Sequence, residues 1–143
     1  MIFFKIWSWF QFLLGFSIDL ALAWTATTGG ESIARNKTYS ASSRVTLDET
    51  VADGQTDKQV TVALDVSAVK AFYIVSDQSV TLETNSGSAP DDTISLVAGV
   101  PYWWSTDSYD TFQLGTDVTA FFFTNASGAT ATIKMEAIQD ATP

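Results

Sequence analysis

The sequence predicts an all-β protein: a single antiparallel β-sandwich, jelly-roll-like, behind a hydrophobic N-terminal extension. Three observations predict it. Val, Ile, Thr, Tyr, Phe and Trp are plentiful, and outside the first twenty residues no apolar stripe repeats at helical spacing. Short runs with apolar residues at alternate positions recur between clusters of Gly, Pro, Asn, Asp and Ser. About eight or nine such runs fit the chain, the number and spacing of a sandwich or jelly roll. At 143 residues the chain is one domain, long enough to bury a real core.

Residues 1–23 differ in kind from the rest. Lys5, an apolar stretch from Ile6 to Ile18 and the ending Ala21-Leu22-Ala23 have the outline of a secretory signal peptide. Gln11 and Asp19 interrupt the stretch, and Trp24 is bulky for the position after a cut. The segment also suits an amphipathic docking arm, or a false start upstream of a true one at Leu20 or Leu22. As a membrane anchor it has fewer clean apolar residues than the roughly 20 a spanning helix needs. The domain boundary is therefore expected between 23 and 24, with the sandwich over 24–143.

From Trp24 to Ser43 the chain is polar and turn-rich around Gly29-Gly30. Arg35, Lys37 and Arg44 form a local basic cluster on an acidic protein, either a contact for a negatively charged neighbour or the charged guard of an edge strand. Arg44–Val51 alternates Val45, Leu47 and Glu49 against Thr46 and Asp48, then drifts out of phase before the turn Asp53-Gly54. Lys58–Asp65 is a cleaner strand, with Val60, Val62 and Leu64 on one face. Residues 68–104 organise the chain as three β-rich runs, expected to be consecutive antiparallel strands. Around Phe72 and Ile74 there is little polar relief, as in a strand covered on both sides. Val80 and Leu82 point in, Thr81 and Glu83 out. Gly87, Pro90 and Asp91-Asp92 make a solvated loop, after which Ile94, Leu96 and Ala98 restart the alternation. Pro101 cannot donate to a ladder, so the strand through Tyr102-Trp103-Trp104 is at an edge or begins there. Val118–Thr124 is expected to be packed on both faces, Asn125–Gly128 to be a hairpin turn, and Ala131, Ile133 and Met135 to face inward from the last strand.

Charge and composition bound the function. Seven basic against sixteen acidic side chains give a net charge of −9, which opposes nucleic acid and anionic membrane as partners of the domain. Cysteine and histidine are both absent. That removes disulfides, thiol nucleophiles and zinc–thiolate sites, along with the usual general base and the commonest transition-metal ligand. The chain is expected not to be an enzyme and to hold no metal or cofactor. Asp91, Asp92, Asp107, Asp110 and Asp117 lack calcium-loop spacing and read as solvated turns. The sequons at Asn36 and Asn125 read as turn chemistry. Tyr102, Trp103, Trp104, Tyr109 and Phe112 are the candidate interaction surface, together with Arg35, Lys37 and Arg44. Alternation places Trp103 and Trp104 on opposite faces, leaving one free to stack on a sugar ring or fill a pocket on a protein neighbour.

Three phrases carry a resemblance: Val75–Asp92, Ala98-Gly99-Val100-Pro101, and Val118–Gly128. Together they resemble small β-sandwich decoration, or cement, proteins of tailed bacteriophages, over roughly residues 24–138. The resemblance implies a non-enzymatic virion structural protein on the outer capsid surface, assembled in the host cytoplasm. It further implies that the protein bridges and stabilises subunits of the major capsid protein, and that it acts as a homo-oligomer, commonly a trimer. The expectation of another class is a secreted carbohydrate-binding module that uses Trp103, Trp104 and Tyr109 as its stacking platform, with residues 1–23 as its signal peptide.

Overall fold

The computed structural model describes residues 16–25 and 32–140, and its ten strands fall into one ribbon and two four-stranded sheets. The ribbon pairs β1 (Phe16–Thr25) with β2 (Ser32–Ala41) over ten residues each. The first sheet has the order β3-β10-β5-β8, from β3 (Ser43–Val51), β10 (Ala131–Gln139), β5 (Val69–Ser76) and β8 (Tyr102–Ser105). The second has the order β4-β9-β6-β7, from β4 (Lys58–Leu64), β9 (Val118–Thr124), β6 (Val80–Thr84) and β7 (Thr93–Leu96). All pairings are antiparallel, and they nest: β6 with β7, then β5 with β8, β4 with β9, and β3 with β10. Such nesting, folded over into two facing sheets, is a jelly roll.

The expected strands are present, but their partners differ from a simple meander. Within 68–104 only β6 and β7 are consecutive neighbours, while β5 and β8 belong to the opposite sheet. Asn125–Gly128 is likewise a turn between sheets and not a hairpin. Local alternation sets which way a side chain points; the choice of neighbour is made by the packing of two sheets, which lies outside any short window.

Alternation decides the core. In β3 it runs through without losing phase, with Leu47 and Val51 buried. From the first sheet Phe72, Ile74, Ile133 and Met135 meet Leu82, Ile94, Phe121 and Phe123 of the second. Neither expectation of a strand covered on both faces holds along its whole length. Phe122 on β9 is only half-buried, and Tyr73 on β5 is 40% exposed. Among the described residues no buried side-chain nitrogen or oxygen lacks a hydrogen-bond partner.

The loops are tied down by their acids and amides. Asp92 accepts hydrogen bonds from the Gly115 and Thr116 amides, Asp117 from the Val66 amide, and Asp91 from the Asn85 side chain. Asn85 sits at φ 63°, a left-handed conformation that Asn tolerates. Asn125 is fully buried and donates to the Val51 and Ala129 carbonyls while accepting from the Ser127 amide, so this sequon is turn chemistry. Asn36 instead lies within β2, opposite Ala21. The expected boundary at residue 23 falls inside β1. Residues 1–15 and the Gly29-Gly30 hinge lie outside the described residues.

Candidate interaction surface

The outward face of the first sheet is ruled into cross-strand rows. One row reads Arg44, Ile138, Ala71, Ser105 across β3, β10, β5 and β8. The next reads Thr46, Glu136, Tyr73, Trp103, and the one after it Asp48, Lys134, Val75, with Pro101 beside it.

The first row is covered by β2. Tyr39 and Ala41 pack on Ala71 and Ile138, and the Ser105 hydroxyl donates to the Tyr39 hydroxyl at 3.0 Å. The ribbon thus crosses the sheet at the Ser105 end of β8. Beyond that edge Lys37 Nζ lies 3.0 Å from Asp107 Oδ2. The hydrogen bond and charge of Asp107 raise the Lys37 ammonium, and those of Lys37 hold the Asp107 carboxyl below the usual carboxylate range. Arg44 stands at the far edge of the same sheet, paired with Glu136 at 2.9 Å. The expected basic cluster is therefore split, and Lys37 and Arg44 are each engaged by an acid. Arg35 enters by its register alone, opposite Leu22.

The aromatic residues do come together, in two layers. Trp103 points outward, 45% exposed, beside Tyr73. Tyr102 and Trp104 point the other way and close the core margin. Trp104 stacks on Phe112 with centroids 4.5 Å apart and planes 16° from parallel, and Phe72 touches both Phe112 and Tyr102. Such a pair adds about 0.5–1.5 kcal/mol beyond its burial. The Trp104 indole N–H donates to the Asp110 carbonyl, and the Tyr102 hydroxyl accepts from the Gln113 amide. Burial pushes the Tyr102 hydroxyl above its usual range, and Asp110 adds to this while the Gln113 amide opposes it.

These bonds hold the segment between β8 and β9 after Tyr109, and the Ser108 amide and hydroxyl, bonded to the Ser105 carbonyl and amide, hold it before; Tyr109 between them is fully in solvent. Between tip and strand lies an open groove of about 520 Å³, lined by Trp103, Trp104, Asp107, Tyr109 and Asp110 among others. Stacked and exposed aromatics beside carboxylates can take a flat apolar face together with hydroxyl or amide donors. Tyr73 was not legible as part of this surface, because its run reads as uniformly buried.

No protein-family model and no curated protein matches the chain. A solved structure from Bacillus, described as endospore appendages forming a family of disulfide-linked pili, aligns with 69% of this chain and 87% of its own. Identity is 17% and the TM-score 0.38, a likeness that says nothing of function.

Proposed function

We propose that the protein is a non-enzymatic virion structural protein that decorates the outside of a bacteriophage capsid and bridges subunits of the major capsid protein. The observation that carries this reading is Tyr109, a fully exposed aromatic residue whose neighbours are held on either side, Ser108 by Ser105 and Asp110 by the Trp104 indole, with exposed Trp103 in the same groove. A preordered aromatic tip loses little conformational freedom on binding and suits the centre of a protein contact. The phrases that resemble phage cement proteins support the same reading. So does an acidic surface, which keeps many copies apart until each is seated.

The test begins with intact mass of the protein from purified phage particles, which the reading requires to be present. On capsids, Tyr109→Ala or Trp103→Ala should lower occupancy at limiting protein by about tenfold or more. Full occupancy by both variants removes the aromatic tip from the proposal. Absence from particles, with a processed form in the medium, favours the second reading, a secreted carbohydrate-binding module. The groove between Trp103, Trp104 and Tyr109, with Asp107 and Asp110 at its side, favours that alternative, because it pairs stacking surface with hydroxyl acceptors.

A further inference from the structure

The edges of the two sheets are closed to different degrees. At the start of β8 Pro101 has no N–H to offer, and at its end the Ser105 amide and carbonyl are both taken by Ser108. β7 is only four residues long, and β4 is irregular after Thr61, where the Ala63 carbonyl accepts from the Gln139 side chain. β3, nine residues long, runs along the outer side of its sheet, and among the described residues no strand but β10 pairs with it.

The pairing with β10 fixes which backbone groups β3 leaves open. Thr132 of β10 turns its N–H and C=O toward Asp77, so Thr50, which lies opposite on β3, turns its own away from β10. The Thr50 carbonyl accordingly accepts from Lys58 Nζ, and the Ala52 amide donates to Gln55 Oε1. By the same alternation Arg44, Thr46 and Asp48 turn their N–H and C=O groups to the open side, and their side chains are exposed. Between them Val45 and Leu47 point toward the core, Val45 only half-buried.

We propose that a second copy of this chain pairs with this edge: β3 of each copy lies antiparallel to β3 of the other about a two-fold axis through Thr46, joining the two first sheets into one. The sequence of the edge selects both the occupant and the register. Only the even-numbered positions present open groups, so even must face even. An axis at Arg44 sets arginine against arginine, and one at Asp48 sets aspartate against aspartate. Axes at Val45 or Leu47 set each of these charges against a neutral residue. The axis at Thr46 sets Arg44 against the partner's Asp48 twice over. It also engages all the open residues in about six backbone hydrogen bonds and places Val45 opposite the partner's Leu47 on the core side.

Charge on an edge strand ordinarily keeps copies apart. A guard of one sign would do so here, but this edge carries one open charge of each sign, placed evenly about its centre. Across the joined sheet the row reads Lys134, Asp48 and then the partner's Arg44, alternating in sign. Asp48 and Arg44 keep their neighbours Lys134 and Glu136 within their own chain. The net charge of −9 on each copy opposes association and the contact is short, so the expected dissociation constant is on the order of 0.1 mM. This inference goes beyond the capsid reading and does not depend on it.

Sedimentation velocity of the full chain up to about 1 mM, in about 0.15 M salt, tests it. The wild type is expected to show a monomer–dimer equilibrium. Arg44→Asp and Asp48→Arg each turn both cross-copy pairs into like charges and should weaken the dimer by about tenfold or more. In an equimolar mixture of the two variants an acidic edge meets a basic one and every pair is opposite again, so the mixture should associate at least as tightly as the wild type. That recovery also shows that both variants are folded. Thr46→Pro removes the central donor while sparing every bond to β10, and should weaken the dimer as well. A wild type that stays monomeric, an oligomer unaffected by these changes, or a mixture no tighter than its components overturns the proposal. None of these results bears on whether the protein is found in virions.

Discussion

Asn125 offers a perturbation whose size can be worked out beforehand. It is fully buried, and its amide nitrogen lies 2.8 Å from both the Val51 and the Ala129 carbonyl oxygens. Asn125→Ala strands those carbonyls, although Ala129 retains the Ser127 hydroxyl. One orphaned buried carbonyl costs about 1–3 kcal/mol, and a small cavity adds about 1. The expected loss is therefore about 2–4 kcal/mol, a large share of the roughly 5–15 available to a domain. Asn125→Asp keeps the shape and the bond to the Ser127 amide but turns an oxygen toward two oxygens. Burial and repulsion raise the folded-state value of the new carboxyl above its unfolded value of about 3.9. Between the two values the folded state holds more protons than the unfolded one, so stability falls as pH rises, at about 1.4 kcal/mol per unit, and is level below the window. Urea denaturation followed by tryptophan fluorescence, at pH 7 and near pH 4.5, reads both effects against wild type at each pH. Asn125→Asp should be the worse variant at pH 7 and recover in acid; Asn125→Ala should show no such recovery. Equal losses for the two variants at both pH values would refute the hydrogen-bond assignment.

Two further perturbations probe the loops and the ribbon base. A Cβ on Gly87 would stand 2.5 Å from Asp57 Cγ, so Gly87→Ala should cost about 1–2 kcal/mol. Adding Asp57→Gly, which also suits the φ of 50° there, should remove most of that cost; additive losses in a double-mutant cycle would show that the two residues do not meet. Lys37→Met should return the Asp107 carboxyl toward its ordinary range in a carbon-detected NMR titration. The lowered value in the wild type means that the pair's contribution is present above the unfolded carboxylate value and is lost as pH falls through the folded one. An unchanged Asp107 titration would show that the ribbon does not reach that loop in solution.

Much of the fold is legible in period-two alternation. Val62 and Leu64, Val80 and Leu82, and Ile133 and Met135 all face the core as their spacing dictates. The split between Trp103 and Trp104 follows from the same rule. β1 is written in the same way, as Phe16, Ile18, Leu20, Leu22 and Trp24 against Ser17, Asp19, Ala21, Ala23 and Thr25. The denser apolar run before it hides the pattern and makes one stretch of 1–23. Tyr73 is hidden for the opposite reason: its outward neighbours Ala71 and Val75 are apolar too, and only Ala71 is covered, by a ribbon more than thirty residues earlier. The split basic cluster is of this kind as well, since Asp107 and Glu136 are brought to Lys37 and Arg44 by tertiary packing alone.

The nested pairing has a consequence for how the chain is made. β6 and β7 close a local loop and can pair early, whereas β3 must wait for β10, with Ser43 opposite Gln139. β10 lies between β3 and β5, so the sandwich strand that comes last in chain order is an interior one. Until it arrives, β3 and β5 each present an unpaired edge, and the nascent chain depends on whatever shields such edges. Folding is therefore slow for the domain's size, since its closing contacts span most of the domain. A truncation ahead of β10 removes the strand that joins the halves of its sheet.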